Sequence, residues 1–191
     1  DLTTINTAST GAITVQNDID INGSGSDVST AVGHLDALIG TPTANITGSD
    51  YTLAQLKTIN DKIGGPLVLV DPAVALSGTV AQYISAFNET VTTHTGTVEI
   101  TDPTDTQVNA TDISTINTAS TGTITVSNAI VIRGSGLEVN AAFNAIDTNT
   151  GNATANITGT DYTVAQLKAI NVATTGAIVL ATSASEALSG D

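Results

Sequence analysis

The chain repeats itself, and that property limits its folding options more than any other. Residues 1–15 (DLTTINTASTGAITV) recur as residues 112–126 (DISTINTASTGTITV), and residues 44–60 (ANITGSDYTLAQLKTIN) recur as residues 155–171 (ANITGTDYTVAQLKAIN), both at an offset of 111. The 191 residues thus span about 1.7 copies of a long repeat. Within it lies a shorter period, marked by a Ser, Thr or Asn followed three residues later by Gln, Glu or Asp. This box occurs at Ser24/Asp27, Thr52/Gln55, Thr79/Gln82, Asn109/Asp112, Ser135/Glu138 and Thr163/Gln166, so successive starts are 28, 27, 30, 26 and 28 residues apart. Such a box suits a helix N-terminus, where the short side chain accepts from an amide one turn on and the longer one reaches back.

After each box the apolar residues fall three or four apart, as in Leu53, Leu56 and Ile59 or Val139, Phe143 and Ile146, which predicts an amphipathic helix of two to three turns. A polar stretch closing in Gly, such as Gly64-Gly65 or Thr121-Gly122, ends it. The period then becomes two, as in Ile13 and Val15 or Ile124 and Val126, and several units add a second apolar pair, such as Ile19 and Ile21 or Ile130 and Ile132. These pairs predict short strands. A unit this small cannot bury its own apolar face, so neighbours must share a core. The expected fold is an α/β repeat solenoid of about 27 residues per unit, with short parallel strands and the amphipathic helices on one side. The expected organisation is one segment, residues 1–191, of about seven helix-strand units starting near 24, 52, 79, 109, 135 and 163. Asp1 aligns with Asp112, inside a box, and Ser189-Gly190-Asp191 stops where Ser77-Gly78-Thr79 opens a unit. Both ends are therefore expected to cut across an array that continues covalently or meets other copies end to end.

Composition narrows the partners. Eighteen acidic residues face only Lys57, Lys62, Arg133 and Lys168, for a net charge of −14. Phosphate backbones and anionic membrane surfaces need clustered Lys and Arg, so neither nucleic acid nor a membrane is an expected partner. No apolar run approaches the length of a membrane helix. A base-poor, Thr-rich surface suits a secreted or cell-surface protein in a salty medium, where charge repulsion is screened. There is no Cys, and hence no disulfide or thiolate metal site.

The motif L-x-x-I-N-x-x-x-x-G-x-I-x-L, followed at a distance by A-L-S-G, is carried by Leu56, Ile59, Asn60, Gly65, Leu67, Leu69 and Ala75 to Gly78, and again by Leu167, Ile170, Asn171, Gly176, Ile178, Leu180 and Ala187 to Gly190. It resembles the Thr/Ala/Gly-rich tandem repeats of giant secreted or cell-surface proteins of marine cyanobacteria and similar exported bacterial proteins. The resemblance implies an extracellular array without a catalytic centre. Some such proteins carry hemolysin-type calcium segments, but the G-G-x-G-x-D nonapeptide is absent here.

Few residues invite a chemical reading. Carboxylates gather in loops at Asp18 and Asp20, at Asp50 and Asp161 before helix starts, and at Asp102 and Asp105; calcium is the cofactor such loops could hold, with Asp102 and Asp105 the best pair because their unit has the longest loop. The turns Asn22-Gly-Ser-Gly-Ser-Asp27 and Arg133-Gly-Ser-Gly-Leu-Glu138 look like phosphate loops but lack the third glycine, and read as turn plus cap. His34 and His94, the only histidines, have no partner at a recognised catalytic or metal spacing and read as surface or helix-end residues. Sequons fall at Asn22, Asn45, Asn88, Asn109, Asn152 and Asn156. The expected function is non-enzymatic: a structural protein of an extracellular surface layer, filament or adhesin-like array. The alternative is a binding module, a phage fibre or surface receptor segment that recognises a glycan or protein along one face, with Tyr51 and Tyr162 as its aromatic candidates.

Overall fold

In chain order the computed structural model, which describes residues 2–87 and 91–181, comprises α1 (Leu2–Ala8), β1 (Thr14–Val15), β2 (Asp20–Gly23), α2 (Gly25–Gly33), β3 (Ala37–Leu38), β4 (Thr43–Ile46), α3 (Leu53–Asn60), β5 (Leu67–Leu69), β6 (Leu76–Gly78) and α4 (Val80–Ala86). There follow β7 (Val98–Ile100), β8 (Gln107–Asn109), α5 (Ala110–Ala119), β9 (Ile124–Val126), β10 (Val131–Gly134), α6 (Gly136–Ala145), β11 (Thr148–Asn149), β12 (Thr154–Ile157), α7 (Val164–Ala173) and β13 (Ile178–Leu180). They form two compact units. The first takes in residues 1–76, 81–96 and 119–121, the second residues 77–80, 97–118 and 122–191.

Helix starts follow from local chemistry. Ser24, Thr52, Ser135 and Thr163 cap α2, α3, α6 and α7, each in an extended conformation with its hydroxyl accepting from the amide three residues on. At Thr52, Ser135 and Thr163 the side chain of Gln55, Glu138 or Gln166 accepts in return from the cap amide. The helices are short, so stability must come from the face they bury. Leu53, Leu56 and Ile59 do so in α3, and Val139, Ala142 and Phe143 in α6. In the strands burial alternates, as period-two packing requires: Ala44 and Ile46 point inward from β4, and Ala155 and Ile157 from β12. Alanine at both places leaves room for Ile and Leu neighbours.

The solenoid expectation is corrected here. Among the described residues the strands do not make one sheet flanked by helices but four small sheets: β1-β3 and β2-β4-β5 in the first unit, β6-β7-β9-β11 and β8-β10-β12-β13 in the second, where β6 enters through Ser77 and Gly78. Nor is the stacking period about 27. Parallel partners are 23 residues apart in most ladders, as in Asp20↔Thr43, Ala44↔Leu67, Val131↔Thr154 and Ala155↔Ile178, with β7–β9 at 26 and β8–β10 at 24. Both departures have a physical cause. The polar turn between two apolar pairs, such as residues 16–18 between Val15 and Ile19, redirects the chain, so each pair enters its own sheet. Cap-to-cap spacing also counts loops of unequal length: β2 runs into α2 through Ser24 alone, whereas residues 47–52 separate β4 from α3. The chain is an α/β protein with seven helices among its described residues.

Candidate functional site

Several carboxylates where strands and helices meet accept from backbone amides, among them Asp36 and Asp147, which the sequence does not single out, and Asp18 and Asp102, which it does. Asp36 Oδ2 accepts from the amide of Ile13 at 2.8 Å, and 111 residues later Asp147 Oδ2 accepts from the amide of Ile124 at 2.8 Å. Asp18 Oδ1 accepts from the amide of Thr41 at 2.7 Å. A carboxylate accepting from an amide makes a charge-assisted bond, stronger than a neutral one. Replacing Asp147 by Ala is expected to cost about 1–2 kcal/mol of unfolding free energy, with Asp147→Asn retaining part of it, in urea titrations.

Asp102 and Asp105 have different surroundings, the first buried and the second exposed. Asp102 is buried, and its Oδ2 accepts from the amide of Val80, the first residue of α4, at 2.7 Å. Its carbonyl accepts from Asn128 Nδ2 at 2.9 Å. Asp105 is exposed, adopts a left-handed backbone conformation (φ 63°), and donates its amide to the Ala129 carbonyl at 2.9 Å. Among the described residues no group of three or more His, Cys, Asp or Glu side chains converges as a metal ion requires.

The two glycine turns are filled by the protein itself. A Cβ on Gly25 would lie 2.6 Å from Tyr51 Cβ and 2.8 Å from Tyr51 Cα; on Gly136 it would lie 2.5 Å from Tyr162 Cβ and 2.7 Å from Tyr162 Cα. Glycine is therefore required for the segment leading into the next helix to cross close over the start of α2 or α6. Tyr51 is buried there and donates its hydroxyl to the Asp71 carbonyl at 2.7 Å. Burial, reinforced by the negative charge of Asp71, pushes its pKa up to about 12. Tyr162 is only half-buried.

His94 departs most from its sequence reading: it is fully buried rather than at the surface. Its Nε2 lies 2.7 Å from the Val74 carbonyl and its Nδ1 2.9 Å from Ser120 Oγ. A carbonyl can only accept, so Nε2 carries the proton and Nδ1 accepts from the Ser120 hydroxyl. Phe87 packs on the imidazole with centroids 5.4 Å apart, and Tyr83 stacks on Phe87. The backbone joins in, with His94 donating to the Ala119 carbonyl and accepting from Thr121. A histidine beside a serine hydroxyl is the start of a nucleophile, but both residues are buried and the second ring nitrogen meets a carbonyl instead of a carboxylate. In this setting the pair cross-links three chain segments.

Burial lowers the His94 pKa below the usual 6.5, against the opposing pull of the Val74 carbonyl. The unfolded chain thus binds a proton more readily than the folded one. The contribution to stability is complete above pH 6.5 and is lost as pH falls through the depressed folded value. Acidification from pH 7.5 is expected to lower the melting temperature, and His94→Gln to remove that component. The imidazole proton shifts, from only two histidines, read the same titration directly.

His34 sits at the C-cap of α2 and accepts from Asn6 Nδ2 at 3.1 Å. The sequon Asn88 and the second A-L-S-G (Ala187 to Gly190) lie outside the described residues. The His94–Ser120 pair had no sequence signal, because the two residues are 26 apart and meet only through a parallel bridge whose register no motif encodes. No helix among the described residues is long and apolar enough to cross a membrane. No family model, curated protein or solved structure matches the chain.

Proposed function

We propose that the chain is a non-enzymatic structural element of an extracellular surface layer, filament or adhesin-like array, its repeats supplying length and its internal hydrogen bonds rigidity. The observation that carries this reading is the commitment of polar side chains to the fold itself, repeated at the 111-residue offset. Ile13–Asp36 recurs as Ile124–Asp147, the Thr52/Gln55 box as Thr163/Gln166, and the Gly25–Tyr51 approach as Gly136–Tyr162. A chain duplicated to serve a site would be expected to keep exposed reactive groups; this one keeps caps and turns. Burial of Tyr51, Tyr83, Phe87 and Phe143 also favours it over glycan binding along one face, which needs exposed aromatics. Electron microscopy of the parent protein at its native location tests the proposal: extended surface-attached material is the expected result, and dispersed isolated particles away from the cell surface would sink it.

A further inference from the structure

The chain has four prolines, and two of them follow an aspartate, at Asp71–Pro72 and Asp102–Pro103. An aspartyl carboxyl can attack the carbonyl carbon of its own residue through a five-membered ring. Proline favours that reaction, because its tertiary nitrogen takes a proton more readily than a secondary amide and has no N–H through which to close a competing ring. Between β5 and β6 the fold lays these parts together. Tyr51 donates its hydroxyl to the Asp71 carbonyl at 2.7 Å. Asp71 Oδ1 accepts from the amide of Ala73 at 3.2 Å, which folds the exposed residue's carboxyl along its own chain, across the Asp71–Pro72 peptide. On the far side the Pro72 carbonyl accepts from the amides of Thr95 and Gly96 at 2.8 and 3.1 Å. The bond is thus held from both sides, with a donor on the oxygen that would take up negative charge. The repeat does not call for these residues, since 111 positions on the sequence reads Thr182-Ser183.

We infer that Asp71–Pro72 is a self-cleavage site, at which the folded chain cuts its own backbone once, with the Asp71 carboxyl as nucleophile and the Tyr51 hydroxyl as the donor to the carbonyl. A carboxyl oxygen of Asp71 bonds to the carbonyl carbon, and charge gathers on the carbonyl oxygen against the Tyr51 hydroxyl. The C–N bond to Pro72 then breaks, the carboxyl proton passes to the Pro72 nitrogen, and a secondary amine leaves. The cyclic anhydride left on Asp71 takes up one water and opens to a free C-terminal aspartate. One water is consumed, and nothing is oxidised or reduced. Burial and the charge of Asp71 push the Tyr51 pKa up to about 12, so its hydroxyl keeps its proton through the neutral and acid range. The other Asp–Pro bond is arranged differently. Asp102 Oδ2 accepts from the Val80 amide, 22 residues away, which draws the carboxyl toward α4, and burial keeps out the water that must open an anhydride. Its carbonyl also has a donor, Asn128 Nδ2 at 2.9 Å, so the two bonds differ in the placing of the carboxyl and the access of water. One cut per chain is not turnover of a substrate. It goes beyond the structural reading by giving an array a defined place at which to be severed.

The intact chain, held at the lowest pH at which its circular dichroism stays native, is read by mass spectrometry after denaturation, since the fold holds both sides of the break. Fragments 1–71 and 72–191, the second beginning with Pro72, are the expected products. They should accumulate about tenfold or more faster than fragments 1–102 and 103–191, as expected of an oriented nucleophile. In urea at the same pH the two bonds should break at similar rates, and the 71–72 bond more slowly than in the native chain. Asp71→Ala, which lacks the carboxyl, should abolish the cut. Tyr51→Phe, which keeps the ring, should slow it about tenfold or more through loss of the donor. Native cleavage at 71–72 no faster than in urea, or no faster than at 102–103, would reduce it to the ordinary lability of an Asp–Pro bond and overturn the inference. So would a Tyr51→Phe protein of native circular dichroism that cuts at the parent's rate. The comparison of native chain with urea needs no variant, so it decides the matter even where Tyr51→Phe does not fold. An uncut chain leaves the structural reading standing, and dispersed particles leave the cleavage standing.

Discussion

Replacing Ile116 by Ala is expected to remove about 2–5 kcal/mol of unfolding free energy, while Ile5→Ala in the monomeric chain should cost less than about 1 kcal/mol. The two isoleucines sit in nearly identical segments, STINTAS and TTINTAS. Local propensity and side-chain chemistry are matched, and what differs is cover. Ile116 lies on the inner side of α5 with Ile113 and Ala110, all buried, whereas Ile5 on α1 faces solvent. Deleting buried methylene groups forfeits their transfer free energy and leaves a cavity, while the exposed side chain has little of either to lose. Urea denaturation at low protein concentration measures both. Equal losses at the two sites would mean that Ile5 is packed in solution, contrary to its exposure here.

The second large effect is expected at the glycine turns, where Gly136→Ala and Gly25→Ala should each destabilise by about 1–3 kcal/mol through overpacking. The added methyl would meet not only a side chain but the Cα of Tyr162 or Tyr51, and a backbone atom cannot swing aside. The Tyr51 hydroxyl anchors its segment to the Asp71 carbonyl, so relief by movement would break that bond too. Gly33, with nothing near its hypothetical Cβ, serves as control: Gly33→Ala on the same helix should be neutral or mildly stabilising, because alanine has the higher helix propensity. Thermal melts of the variants decide it, and a Gly136→Ala protein as stable as the parent would mean the turn is looser than this geometry.

Helix starts were legible because a cap is local. Ser24, Thr52, Ser135 and Thr163 accept from residues only three positions away, so the spacing in sequence is the spacing in space. The strands were legible as apolar pairs for the same reason. Which sheet a pair joins was not, because it depends on the direction in which turns such as residues 16–18 send the chain. The ladder period of 23 was hidden by loops that vary the distance between caps. The role of the carboxylates was not legible for a further reason: Asp102 is 22 residues from the amide of Val80, and no pattern of acids along the chain distinguishes a backbone acceptor from a cation ligand. His94 lies beyond local reading altogether, since its partners Val74 and Ser120 are 20 and 26 residues away.

The ladder spacing also bears on how the molecule comes to be folded. Partners 23 residues apart span about an eighth of the chain, so the loops that must close are short and nearly equal in length. Parallel sheets ordinarily form slowly because their strands are brought together from far along the chain, and unpaired edges stay open to aggregation meanwhile. Here each strand can find its neighbour soon after both have left the ribosome. A polypeptide built this way can be lengthened without lengthening the search, since every added repeat brings its own nearby template.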